Sequence, residues 1–353
     1  MTEVSEINVT KAKKSRLHEL NLEEIPFGKH FTDHMLVADY ANGEWKNIEI
    51  KPYQPLQLDP STSALHYGQS IFEGMKAFRN DDGDAFIFRP YENLKRFNLS
   101  AQRMCMPEVP EEIFIDGLRQ LIEMDKDWIP SKADHSLYIR PLMFATDNMI
   151  GVKPSDTYKF LIILCPVGPF HAAPMKIAVE EKYSRAEPGG VGFSKNAGNY
   201  GKSMYPAKLA KQEGYDQVLW TDAYEHKWLQ EVGMMNVGFI INNIFITPPL
   251  EDTILKGVTR DSVITILKDM DIAVEERKIS IDEVVDAFNK GELNEVFGMG
   301  TAAVISMIEE LKYKDTIMKF DVHSFSVAKK VKYKLTEIRS GKAEDVYGWM
   351  VKV

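Results

Sequence analysis

The sequence predicts an α+β protein of two domains, and three observations carry the prediction. Strand-like runs group with strand-like runs and helical patterns with helical patterns, the order of segregated layers. A segment rich in proline, Pro166 to Met175, interrupts both periodicities near mid-chain. The 353 residues exceed the roughly 250–300 at which one hydrophobic core stops growing.

Residues 1–26 are charged and poor in aromatics and read as a loose arm, with order starting at Phe27. A small first domain over 27–165 follows. Asn42-Gly43 in HMLVADYANGEW and Asp82-Gly83 in AFRNDDGDAFIFRP each stand between apolar runs, the signature of a two-residue hairpin turn. YENLKRFNLSAQRM and PEEIFIDGLRQLIEMDKDW carry helical spacing, and HSLYIRPLMF and YKFLIILC read as strands. Residues 166–175 are the expected linker.

A larger second domain is expected over 176–353. It opens with the strand MKIAVEEKY, and after a glycine-rich stretch YPAKLAKQEG reads as a helix stopped at Gly214. QVLWTD is a strand, and Asn242-Asn243 joins NVGFII to IFITPP in a third hairpin. Ser280 and Glu283 have capping-box spacing at the start of a helix, and EVFGMGTAAVISMI reads as a buried strand. The last helix, SFSVAKKVKYKLTEIRSG, ends at Gly341, and its lysines read as a solvated face.

Composition narrows the function. The chain has 43 Lys+Arg against 52 Asp+Glu, a net charge of -9, which disfavours a nucleic-acid partner and favours a small-molecule ligand. Cys105 and Cys165 lack metal-ligand spacing and read as buried thiols, so neither a zinc site nor a disulfide framework is expected. No apolar signal segment opens the sequence, and FLIILCPV is far short of the ~20 residues that span a bilayer. A soluble cytoplasmic protein with no membrane partner is the expectation.

Four stretches carry chemistry. In GGVGFSKNAGNYG, glycines surround Lys195 and Tyr200 follows; the plain reading is an exposed lysine in a loop, the chemical one a desolvated amine able to form a Schiff base. In LQEVGMMN, Glu231 sits in an apolar strand and needs a cationic partner, either a nearby side chain or a protonated ring nitrogen. In LKGVTRDSVITIL, Gly257 precedes a helix that starts near Thr259 or Arg260, so the backbone N–H groups at that start could bind phosphate, although any N-capped helix has the same pattern. In FGMGTAA, the Thr301 hydroxyl and the N–H groups of Thr301 and Ala302 could bind an oxyanion, although a buried tight turn explains the pattern as well. In the first half, Arg89 and Arg140 stand among the aromatics Tyr67, Phe72 and Tyr138, and an arginine inside a strand pattern usually meets a carboxylate or phosphate.

Together these stretches resemble the branched-chain amino-acid aminotransferases of fold type IV, in the longer form of that family. FTDHM, LHYGQSIFEGMKAF, DKDW, LYIRP, LCPVG, GGVGFSKNAGNYG, QVLW, EVGMMN, KGVTRDS and VFGMGTA stand in the family's order over nearly the whole chain. The resemblance implies a small N-terminal α/β domain, a larger C-terminal cofactor-binding domain with a barrel-like core, a homodimer, and pyridoxal 5'-phosphate as cofactor. It implies that Lys195 holds the cofactor and moves the substrate proton. Tyr200 would bond the ring's 3-oxygen and Glu231 its nitrogen, with the phosphate on Arg89, Val258, Thr259 and Thr301. The substrate carboxylate would meet Tyr67, Thr301 and Ala302, and Phe27, Phe72 and Tyr138 would wall the side-chain pocket. Arg140 would take the second carboxylate of glutamate. The implied reaction moves the amino group of L-leucine, L-isoleucine or L-valine to 2-oxoglutarate in two half-reactions.

Two departures from the family pattern stand out. Ala303 and Ser306 occupy the positions of a Cys-x-x-Cys pair found in mammalian relatives, so thiol regulation of that kind is not expected. Phe170 replaces a frequent tyrosine and Met234 a frequent threonine, changes that bear on specificity. The alternatives are a D-amino-acid aminotransferase or aminodeoxychorismate lyase on the same fold, or a protein that binds the cofactor without turnover. A Rossmann dehydrogenase is disfavoured because no G-x-G-x-x-G follows a first strand.

Overall fold

The computed structural model describes residues 6–21, 25–132, 134–168 and 173–353. The chain forms two compact units: Met1–Phe170 with Ser194–Ala197 and Thr336–Val353, and His171–Phe193 with Gly198–Leu335. Both units mix helices and sheet, as the α+β expectation requires.

The first unit is built on one sheet. Its strands are β1 (Asn8–Val9), β2 (His34–Ala41), β3 (Glu44–Pro52), β4 (Ser70–Phe72), β5 (Met75–Arg79), β6 (Ala85–Phe88), β7 (Ser136–Ala145) and β8 (Tyr158–Val167). They lie in the order β1-β3-β2-β8-β7-β5-β6, the C-terminal strand Met350–Lys352 closes the edge beside β6, and β4 pairs with β7. Asn42 and Gly43 both take positive φ at the β2–β3 turn, matching the twist of the strands they join. One sheet face buries Leu36, Ile50, Ile87, Ile139 and Ile162, one strand residue in two, as the pleat demands. The helices α1 (Ser63–Tyr67), α2 (Pro90–Arg103) and α3 (Gly117–Met124) belong to this unit, and Leu94, Phe97 and Ala101 of α2 and Leu118 and Leu121 of α3 complete its core.

The second unit contains a closed barrel. Its strands are β9 (Met175–Val179), β10 (Gln217–Thr221), β11 (Leu229–Val232), β12 (Met235–Ile241), β13 (Ile244–Thr247), β14 (Val274–Glu276), β15 (Leu293–Gly300), β16 (Val304–Tyr313) and β17 (Thr316–Lys319). Six of them form a ring, β11-β10-β9-β16-β15-β12, closed by the antiparallel β11–β12 pair; β13 and β14 branch from β12 and β17 from β16. Its core includes Ile177, Leu219, Val232, Val237, Phe239, Val296 and Ile308. The helices are α4 (Ala197–Gln212), α5 (Val258–Asp269), α6 (Ile281–Asn289) and α7 (Val327–Arg339), the last ending among residues of the first unit. Ser280 caps α6 by accepting the Glu283 N–H at 3.1 Å, while the Glu283 carboxylate turns to Arg277 instead of completing the box.

Several expectations change. The described part of the N-terminal arm is docked: β1 adds in parallel to β3, and Ile7, Leu17 and Leu20 pack on the core. Ala12 N–H donates to His34 Nε2 at 2.8 Å, and Asp125 fixes the other ring nitrogen at 2.6 Å. Strand β8 continues through Pro166 and Val167, because Leu137 and Ser136 of β7 pair with them. The remainder of the expected linker includes residues 169–172, so Phe170 lies outside the described residues. The single helix expected over 110–128 opens with a widened turn at Glu112–Asp116, ahead of α3. A Cβ at Gly117, the first residue of α3, would overlap Leu36. Helix α4 starts at Ala197, well before YPAKLAKQEG, and contains Pro206. EVFGMGTAAVISMI is a hairpin of β15 and β16 with residues 301–303 as its turn, since Gly300 pairs with Val304. Cys165 is buried and burial pushes its thiol pKa up, but Cys105 is exposed, at positive φ just past the end of α2. Among the described residues no helix is long and apolar enough to cross a membrane.

Candidate active site

The first unit contributes a bed for Lys195. The Phe72 N–H donates to the Lys195 carbonyl at 3.0 Å, and the Lys195 N–H donates to Ser100 Oγ at 2.9 Å. Asn196 makes a bridge to Ile71. The lysine backbone is therefore pinned on both sides by β4 and α2. Its Nζ lies 4.9 Å from the centre of the Phe72 ring. Next to Phe72 stands Glu73, fully buried, whose oxygens take Arg96 Nε at 2.6 Å and Nη2 at 2.8 Å, Asn93 Nδ2 at 2.7 Å and the Gly74 N–H at 3.0 Å. Burial alone would raise the Glu73 pKa; the Arg96 charge and these hydrogen bonds, with a contribution from Lys195, hold it below the usual value. Glu73 is thus a permanent anion close to the lysine.

Phe72 also meets Arg140, whose guanidinium carbon lies 4.7 Å from its ring centre. Arg140 donates from Nη2 to Tyr138 Oη at 3.1 Å, and Tyr138 meets Phe27 edge-on at 5.0 Å between ring centres. Gly74 makes this possible, because a Cβ there would overlap the Tyr138 hydroxyl. Of the predicted residues in this unit, Phe27, Phe72, Tyr138, Arg140 and Lys195 thus form one continuous cluster. Tyr67 ends α1, is exposed and packs on His66. Arg89 stands at the start of α2 with positive φ; its N–H donates to Trp349 O at 2.7 Å and its guanidinium lies over the Trp349 ring at 5.3 Å.

The second unit holds the remaining residues. Glu231 is buried in β11, where it pairs with Arg185 Nη2 at 3.2 Å and accepts the Leu255 N–H at 2.7 Å. Arg185 is itself held by the carbonyls of Gly192 and Thr253. Asn236 Nδ2 donates to Leu255 O at 3.0 Å, so β11 and β12 together fix the loop that enters α5. Gly257 ends that loop, where a Cβ would overlap Asn236 Oδ1. Val258 and Thr259 follow as the first residues of α5, both buried, and the N-cap residue Gly257 has no side chain with which to cap the helix. A helix end of this kind presents N–H groups and a positive dipole.

Tyr200 lies half-buried in α4, and Thr301 and Ala302 half-buried in the β15–β16 turn. Val304, just after that turn, has φ of +62°, a conformation costly for a β-branched residue. The glycines near Lys195 serve separate ends. Gly189 takes positive φ, Gly192 lies too close to Ala186 and Thr253 for a side chain, and Gly201 is part of α4 with open space around it.

The residues that sequence reasoning passed over are Glu73, Arg96, Ser100, Arg185 and Asn236. Glu73 lies inside the FEGMKAF motif, so its neighbourhood was visible although its partner was not. Each unit offers chemistry of its own: the first an amine beside an aromatic wall and a guanidinium, the second a buried carboxylate and a helix terminus suited to phosphate.

Known proteins of one family are similar to this chain. The profile described as amino-transferase class IV matches residues 70–311. The branched-chain-amino-acid transaminase 1 of Bacillus subtilis (strain 168) is 48% identical over 333 residues, which are 93% of this chain and 94% of that protein. The branched-chain-amino-acid aminotransferase of Mycolicibacterium smegmatis is 42% identical over 337 residues, 93% and 92% of the two chains. Among solved structures, the branched-chain amino acid aminotransferase of Escherichia coli superposes with a TM-score of 0.74 at 25% identity, covering 90% of this chain and 98% of its own. The T.th. branched-chain amino acid aminotransferase complexed with N-(5'-phosphopyridoxyl)-L-glutamate gives 0.72 at 25% identity, covering 89% and 97%.

Proposed function

The chain belongs to the class IV aminotransferases and, within them, to the branched-chain amino-acid aminotransferases; from that premise we propose that it moves the amino group of L-leucine, L-isoleucine or L-valine to 2-oxoglutarate. Two half-reactions at one site, in ping-pong order, give the branched-chain 2-oxo acids and L-glutamate. One observation carries the substrate reading: the Phe72 ring has the Lys195 amine on it at 4.9 Å and the Arg140 guanidinium at 4.7 Å. An aromatic wall suits a branched apolar chain, and the guanidinium suits the second carboxylate of glutamate.

The cofactor in this reading is pyridoxal 5'-phosphate, which when bound supplies an electron-withdrawing ring that acidifies the substrate α-hydrogen. The residues fit such a group. The start of α5 behind Gly257 suits a phosphate, and Glu231, paired with Arg185, suits a protonated ring nitrogen. Arg89 and Thr301 would add phosphate contacts, with the N–H groups of Val258 and Thr259. Tyr200 would bond the ring oxygen. Lys195 would hold the cofactor aldehyde and carry the proton, the bonds to Phe72 and Ser100 keeping its backbone fixed as the side chain moves. Tyr67 and the N–H groups of Thr301 and Ala302 would take the substrate carboxylate, with Phe27 and Tyr138 walling the side-chain pocket. A homodimer in the cytoplasm, without nucleic-acid or membrane partners, completes the proposal.

The test is the near-ultraviolet and visible spectrum of the protein loaded with pyridoxal phosphate. L-leucine, L-valine and L-glutamate should each shift it, D-alanine should not, and Lys195→Ala should lose the shift on the time scale of turnover. A response to D-alanine alone would move the assignment to the D-amino-acid branch. Sedimentation at twice the 40.3 kDa chain mass is the expected outcome for the dimer.

A further inference from the structure

Two cations are buried on one face of the first unit's sheet, and the roles proposed above use neither. Lys76, in β5, is 7% exposed. Its partner across the β5–β7 register is Tyr138. On the other side, Ala77 pairs with Ile87 and Phe78 with Phe86, which sets Phe88 across from Lys76. Arg339, at the end of α7, is 5% exposed, and its guanidinium carbon lies 4.1 Å from the Phe88 ring centre and 5.9 Å from that of Phe78. Residues two apart on a strand share a face, so Lys76, Phe78 and Phe88 point the same way, and Arg339 covers the rings that flank the lysine.

Among the described residues no side chain or carbonyl hydrogen-bonds or ion-pairs with Arg339, and its Nε is buried without a partner. Burial brings Arg339 down to about 9. Burial, then the charge of Arg339, brings Lys76 down to about 7, with Asp134 the carboxylate that opposes the shift. The two rings offset part of the lost hydration of the guanidinium, but a cation taken out of water normally keeps an anionic partner.

We propose that Arg339, with Lys76 beside it, forms a binding site for the carboxylate of a small organic acid. The guanidinium presents a planar fork of donors that matches a carboxylate in two parallel hydrogen bonds, and Lys76 adds an amine donor beside it. The inference is independent of the transamination reading, because its readout is binding without turnover.

The experiment titrates the loaded enzyme with sodium formate, and in parallel with sodium chloride, in a carboxylate-free buffer, following binding by calorimetry and the thermal midpoint. Formate should bind saturably and raise the midpoint. Arg339→Gln should weaken that binding about tenfold or more, the size expected for one lost charge-assisted bond. Lys76→Met should weaken it as well, and serves in its place should Arg339→Gln not fold. A wild-type protein without saturable formate binding would overturn the proposal, as would folded variants that bind formate like the wild type. Chloride acting as strongly as formate at equal concentration would replace the carboxylate site with a halide site.

Discussion

Glu73 remains charged without exposed surface because Arg96 meets both of its oxygens. Removing one partner of such a pair leaves the other buried and uncompensated, so Glu73→Gln should cost ~3–5 kcal/mol, measured by urea unfolding. The pair Glu73→Leu with Arg96→Met should recover most of that loss, since an apolar pair of similar volume needs no charge balance. Lys76 works in the opposite sense. Its pKa is lowered from 10.5 to about 7, so between those values the unfolded chain binds more protons than the folded one. Its contribution therefore makes stability rise as pH increases through that window. Unfolding measured across the window without added carboxylates should show that rise, and Lys76→Met should flatten it. The chemical types of Lys195 and Glu231 were legible because their glycine-rich and apolar neighbours made a bare charge anomalous. Arg96 and Arg185 were not, since an ion pair between distant segments leaves no local mark.

Among the elements, hairpins were the most legible. Asn42, Gly43, Asn242 and Asn243 all take positive φ, the conformation for which those residue types are suited. Helix α4 was legible only in its second half. Its buried positions, Asn199, Ser203, Pro206 and Ala210, follow helical spacing, but three are polar or proline, so a search for apolar periodicity passes over the stripe. The N-terminal arm was misread for a related reason: backbone pairing with β3 and bonds to His34 hold it, and neither depends on a run of apolar side chains. Element geometry also yields a test of the phosphate reading. Gly257→Ala would drive a methyl group against Asn236 Oδ1 and displace the start of α5. Pyridoxal phosphate affinity of the cofactor-free protein, read by fluorescence titration, should fall about tenfold or more, each factor of ten being ~1.4 kcal/mol. Asn236→Ala in the same chain should restore part of it.

For the whole molecule, the two-domain prediction rested on length and on the proline segment, and neither reveals that a unit can be assembled from separate stretches. The first unit takes back residues 194–197 and 336–353 after the chain has left it. Deleting residues 340–353 removes the strand that pairs with β6 and the Trp349 carbonyl that receives the Arg89 N–H. The shortened protein should melt earlier and aggregate through the bared β6 edge, as a thermal scan with light scattering would detect. A longer-lived consequence concerns inheritance. Lys195 sits on an island of four residues whose bonds run to β4 and α2, while the chain on either side belongs to the other unit. Recombination that exchanged one unit between relatives would have to cross the gene on both sides of that island or leave the reactive lysine on foreign ground. The lysine and its bed are therefore expected to descend together, as a linked set rather than as interchangeable modules.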